Sequence, residues 1–98
     1  MFEDRETKSV TVSVSGRVQG VGYRAWVHRS ATRLKLSGWV RNESDGTVSA
    51  LLDGAPENVD QLLKEMESGP PAARVDRVSS LPAAGAPDPG FEITFPDE

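Results

Sequence analysis

The 98-residue sequence has no cysteine and a single histidine, His28. Without cysteine there is no disulfide framework, no thiolate zinc site, no iron–sulfur cluster and no thiol nucleophile. One histidine excludes His-rich metal sites and paired-imidazole chemistry. Long apolar runs are missing too: hydrophobic residues make up 37% of the chain and polar residues interrupt them throughout. Neither a transmembrane helix nor a signal-peptide core is therefore expected, and the expected location is the cytoplasm. Positive charge is scarce, with 11 lysines and arginines against 15 acids and a formal charge of -4. That balance argues against general binding to nucleic acid or to an anionic membrane, so any basic site has to be local. A chain of this length makes one domain, and it buries roughly 60–70% of its unfolded surface, enough for a core without metal or disulfide support.

What is present has clear periodicity. The first nine residues mix charges without a period and read as a loose lead-in to a domain spanning residues 1–98. Val10, Val12 and Val14 then alternate with Thr11, Ser13 and Ser15, which predicts a strand with one buried face, ending at Gly16. Tyr23, Val27, Ala31 and Leu34 recur at helical spacing, with His28, Arg29, Thr32, Arg33 and Lys35 on the polar side. Residues 36–42 and 47–53 read as strands joined through Asp45-Gly46, a pair suited to a tight hairpin. Pro56 opens a second helix whose Val59, Leu62, Leu63 and Met66 share a face, and Gly69-Pro70-Pro71 stops it. A strand around residues 74–80, a Gly/Pro-rich surface connection over 82–90 and a last strand with Phe91, Ile93 and Phe95 alternating complete the pattern. The order strand, helix, strand, strand, helix, strand predicts an α+β fold of the ferredoxin-like split βαβ type (βαββαβ), an antiparallel sheet with both helices on one face. That topology hosts many functions and decides none.

Two stretches carry chemistry. Gly16-Arg17-Val18-Gln19-Gly20-Val21-Gly22-Tyr23-Arg24 sets three glycines in seven residues immediately before a helix. Glycines let successive backbone N–H groups converge, and a helix N-terminus adds free donors and a positive dipole end, so the natural occupant is an anion. A plain flexible loop is the competing reading. Arg24 favours the anion, because a cation in the first helical turn opposes the macrodipole unless something negative is bound there. Its planar fork matches a phosphoryl group, and phosphate is the first choice. Arg17 is either a second positive charge for the site or a solvated surface residue. The second stretch, Gly38-Trp39-Val40-Arg41-Asn42, would bring the Asn42 amide near that loop if its strand lies beside the first one; a turn-starting asparagine is the competing reading. The aromatic residues Tyr23, Trp26, Trp39, Phe91 and Phe95 are expected to pack. His28 is expected at the ordinary surface, and a Glu43/Asp45 carboxylate pair in a turn beside glycine is a poor acid–base or metal site.

Together these stretches resemble the acylphosphatase family. Residues 16–24 look like its phosphate loop, Gly38 to Asn42 with Asp45-Gly46 and Val48 look like its second signature, and the Gly69 to Val75 segment extends the similarity to about residues 8–95. The family hydrolyses acyl phosphates, mixed anhydrides of a carboxylic acid with phosphoric acid, without a cofactor. The resemblance implies that Arg24 binds phosphate and that Asn42 positions the attacking water. It also implies a substrate cradle from the backbone amides of Arg17, Val18, Gln19, Gly20, Val21, Gly22 and Tyr23. No metal is implied, inorganic phosphate is a product and competitive inhibitor, the small-molecule substrate is the main partner, and a monomer is expected. The competing classes are an anion-sensing or RNA-binding module on the same sheet, disfavoured by the acidic balance and the lack of an exposed aromatic pair, and an acylphosphatase-like domain of a larger carbamoyl-transfer protein of hydrogenase maturation, which the chain's length disfavours.

Overall fold

The computed structural model describes residues 6–95. Its elements run β1 (Lys8–Arg17), α1 (Tyr23–Arg33), β2 (Ser37–Asn42), β3 (Val48–Gly54), α2 (Pro56–Met66), β4 (Arg74–Pro82) and β5 (Phe91–Ile93). The sheet order is β4-β1-β3-β2-β5. The first four strands pair antiparallel, which is the ferredoxin-like split βαβ arrangement. Strand period two puts Val10, Val12 and Val14 of β1 and Val48, Ala50 and Leu52 of β3 on one face, where all six are buried. The helices cover that face with Tyr23, Val27 and Ala31 from α1 and Val59, Leu62 and Met66 from α2, all fully buried. Each valine, leucine or methionine among them contributes about 1.5–3 kcal/mol by leaving water.

The observed boundaries differ from the sequence expectations where tertiary partners intervene. Residues 1–5 of the expected lead-in lie outside the described residues, but Lys8 and Ser9 belong to β1: Lys8 faces Gly54 and Ser9 faces Asp53. The Lys8 ammonium donates to Asp60 on α2 at 2.7 Å, and the Ser9 hydroxyl donates to the Asp53 carboxylate. Gly16 does not end the strand. The β1–β4 register shifts between Ser15 and Gly16, and a Cβ at Gly16 would stand 2.2 Å from the Arg74 carbonyl oxygen, so glycine is the residue that lets a bulge form and the strand continue to Arg17. Lys35, expected on the polar side of α1, has a φ of 60° and lies beyond the helix. The Leu36 N–H returns to the Ala31 carbonyl at 2.9 Å across it, a Schellman-type stop.

The last strand departs most. β5 pairs parallel with β2, through Gly38↔Phe91 and Val40↔Ile93, so the sheet is mixed rather than wholly antiparallel. Its alternation stops at Ile93, after which the Thr94 N–H donates to the Val40 carbonyl at 2.9 Å. Phe91 is buried, whereas Phe95 is 69% exposed and is not a core residue. Trp39 is half-buried on the face opposite Val40, with the Arg41 guanidinium stacked 4.9 Å from its ring centre. His28 is half-buried, edge-on to Phe91 at 6.3 Å between ring centres.

Candidate active site

Strands β1 and β2 are not neighbours, since β3 lies between them. Both are antiparallel to β3, so they run the same way and their C-terminal ends emerge at one edge, two strand spacings or about 10 Å apart. The loop after β1 and the end of β2 therefore converge although the two strands are not direct neighbours. At this edge lies a cavity of about 280 Å³. Val18, Gly20 and Gly22 of the loop line it, with Tyr23, Arg24 and Ala25 of the first turn of α1, Asn42 at the end of β2, and Ile93 and Phe95 of the C-terminal segment.

The loop is built to present donors. Gly20 and Gly22 have φ of 76° and 82°, a left-handed backbone that side chains with a Cβ resist. Gly22 caps α1, no side chain bonds to the cap, and the first turn holds no acid. Among the described residues, no backbone carbonyl accepts from the N–H of Gln19, Gly20, Val21, Gly22, Tyr23 or Arg24; the first such bond is Trp26 N–H to the Gly22 carbonyl at 3.0 Å. Those amides and the helix N-terminus together form a positive, donor-rich rim. Arg24 stands in it half-buried, with no ion pair among the described residues, its guanidinium 5.1 Å from the centre of the Phe95 ring.

Asn42 supplies the complementary group. Its Oδ1 is buried and has no hydrogen-bond partner among the described residues. A buried carbonyl oxygen left unpaired is costly, and Asn42 is one of the residues that line the cavity. The turn after Asn42 is well tied. The Asp45 carboxylate accepts from the Thr47 N–H at 3.0 Å and from its hydroxyl at 2.7 Å, which holds Asp45 below the usual aspartate range. Glu43 accepts from the Ser49 hydroxyl, the chief cause of its lowered pKa, and from Arg41 at 2.7 Å. These carboxylates are committed to structural partners. The described residues contain no group of three or more potential metal ligands of the His, Asp or Glu type.

The remaining predicted residues divide. Arg17 is the last residue of β1, exposed and in register with Arg74, and its side chain does not line the cavity. Val21 packs on the core. Gln19 also stays out of the cavity: its side-chain amide donates to the Glu43 and Thr47 carbonyls at 2.8 and 2.9 Å, clasping the loop to the β2–β3 turn. Tyr23 anchors the other side, fully buried, its hydroxyl donating to the Met66 carbonyl at the end of α2 at 2.8 Å. Burial pushes that hydroxyl's pKa upward. Ala25, Ile93 and Phe95 line the cavity without having been expected there.

A sequence model of the acylphosphatase family matches residues 10–93, which includes the loop, Arg24 and Asn42. An acylphosphatase of Rhizobium meliloti is 47% identical over 95 residues, covering 96% of this chain and 98% of that protein. One of Rhodospirillum rubrum is 48% identical over 84 residues, covering 86% and 92%. Among solved structures, an acylphosphatase from Coxiella burnetii superposes with a TM-score of 0.87 at 33% identity, covering 90% of this chain and 93% of that one. With sequence and fold agreeing over nearly the whole length, the chain belongs to the acylphosphatase family and is a hydrolase of acid anhydrides.

Proposed function

We propose that this chain hydrolyses the carboxyl–phosphate bond of small acyl phosphates with Arg24, the loop amides and Asn42 as its working groups, using neither metal nor cofactor. One observation supports this reading above the others: among the described residues, one cavity collects amide donors without backbone acceptors, an arginine without a carboxylate and, in Asn42, a buried amide oxygen without a donor. A phosphoryl group offers three oxygens to the first two, and a water offers its protons to the third. In a loose phosphoryl-transfer transition state the charge lies on the equatorial oxygens, so positioning and charge stabilisation are the main requirements. Arg24 can span two of those oxygens with parallel hydrogen bonds, and the amides from Gln19 to Arg24 take the rest. Asn42 Oδ1 accepts from the attacking water and turns a water lone pair toward phosphorus. As the new oxygen–phosphorus bond forms, the acyl oxygen–phosphorus bond breaks, and the water proton passes to a phosphoryl oxygen. The leaving group is a carboxylate, already a stable anion, so no general acid is required.

Inorganic phosphate then shares the loop with the substrate and inhibits competitively. All the groups invoked come from one chain, which supports action as a monomer. The deciding experiment is Asn42→Ala, assayed by phosphate release from benzoyl phosphate, with phosphate binding measured by calorimetry and the denaturation midpoint as control. Removal of the water-holding oxygen should lower kcat about 100-fold or more, on the scale of one lost catalytic hydrogen bond, while the phosphate Kd changes little. A folded variant with normal kcat would return Asn42 to a turn role and leave the loop as an anion-binding site without turnover.

A further inference from the structure

The cavity has two kinds of wall, and phosphate chemistry uses only one of them. Part of its lining is the donor loop with Arg24, and part is apolar: Ala25, Ile93 and Phe95. At about 30 Å³ for a water's share of space, a cavity of about 280 Å³ exceeds what the four heavy atoms of a phosphoryl group fill. Phe95 and Leu81 are the two large apolar side chains that stand exposed among the described residues, and Phe95 is the one that borders this cavity. Water contact over most of a phenylalanine ring is unfavourable, and an apolar group laid on it removes that contact. The Arg24 guanidinium lies 5.1 Å from the centre of that ring. That stacking places an aromatic face directly beside the group that grips the phosphoryl oxygens. The nine lining residues include no carboxylate to recognise a cationic acyl group, and Arg24 is their only cation.

Resting on the acyl-phosphate reading above, we infer that Phe95, with Ile93, is the acyl-recognition wall of this enzyme and that its preferred substrates carry an apolar, especially an aromatic, acyl group. The phosphoryl end docks on the loop and Arg24, and the acyl end lies along the phenyl ring at the mouth, from which the carboxylate departs into solvent. Phe95 acts as a specificity residue rather than a catalytic one.

The test compares benzoyl phosphate with acetyl phosphate in the wild type, Phe95→Ala and Phe95→Leu. Both leaving groups are simple carboxylates, so the ratio of their kcat/KM values reports contact with the acyl group. Any loosening of Arg24 acts on the phosphoryl group common to both substrates and cancels in the ratio. The wild type should favour benzoyl phosphate. Phe95→Ala should lower that preference about 3- to 10-fold, the worth of one aromatic contact, mainly through a raised KM for benzoyl phosphate. Phe95→Leu should fall between the two. An unchanged ratio in Phe95→Ala, with both substrates still hydrolysed, overturns the acyl wall alone. Failure of the wild type to hydrolyse either substrate overturns the acyl-phosphate reading and the wall with it.

Discussion

Arg24 occupies a position that its own helix disfavours. The second residue of α1 lies at the positive end of the peptide dipoles, and no acid shares that turn. Phe95 offsets part of the cost through its ring face, worth about 0.5–1 kcal/mol at an exposed site. A bound phosphoryl group would reverse the sign of the whole interaction. Arg24→Ala should therefore cost at least about 100-fold in kcat/KM while barely lowering the denaturation midpoint, and Arg24→Lys should recover little, since an ammonium cannot span two oxygens. Steady-state kinetics beside thermal denaturation checks this, and near-normal turnover in folded Arg24→Ala would refute the assignment. At this scale the sequence singled out Arg24 because its charge conflicts with its place in the helix, and the structure sets it among the residues lining the cavity. The sequence misplaced Phe95, because alternation with Phe91 and Ile93 makes it look like a core residue and nothing local says that the strand stops at Ile93.

The loop and the β2–β3 hairpin are separate elements that the Gln19 side chain ties to one another. The Gln19 amide donates to the carbonyls on both sides of the turn, Glu43 and Thr47, and Glu43 directly follows Asn42. This clasp ties the loop amides to the turn that follows Asn42. Gln19→Ala should lower kcat about tenfold with a smaller change in phosphate affinity, and it should add little in an Asn42→Ala background, where no positioned water remains to be misplaced. A purely structural glutamine would instead give equal losses in both backgrounds, so the four proteins of this double-mutant cycle decide the matter. The hairpin itself was legible from Asp45-Gly46, whose Asx turn and positive φ follow from residue type. The clasp was not: a glutamine in a loop has no local preference for carbonyls 24 and 28 residues away.

At the scale of the molecule, ligand binding and stability are linked. Phosphate that binds only the folded chain should raise its stability by roughly 2.7 kcal/mol at a hundredfold excess over Kd, and each kcal/mol should move Tm by about 4–8 °C in a domain of this size. Thermal denaturation against phosphate, with chloride at matched ionic strength as control, should show that shift in the wild type and lose most of it in Arg24→Ala; an equal shift in both would place the phosphate elsewhere. The sequence by itself determined the elements, the buried face of β1 and β3, the donor loop and its arginine. Each of these follows from local rules: side-chain period, glycine's backbone freedom and the chemistry of a helix N-terminus. Only the tertiary structure decided which strands meet. Residues 83–90 carry the chain from β4 at one edge of the sheet to β5 at the other, four strand spacings or ~19 Å, which eight residues can span at up to ~26–29 Å. That length permits pairing at either edge, so nothing local selects β2 as the parallel partner of β5. The choice rests on Phe91 being buried under α1 while Phe95 emerges beside Arg24, and this juxtaposition of residues 71 positions apart in the chain exists only once the sheet has closed over its core.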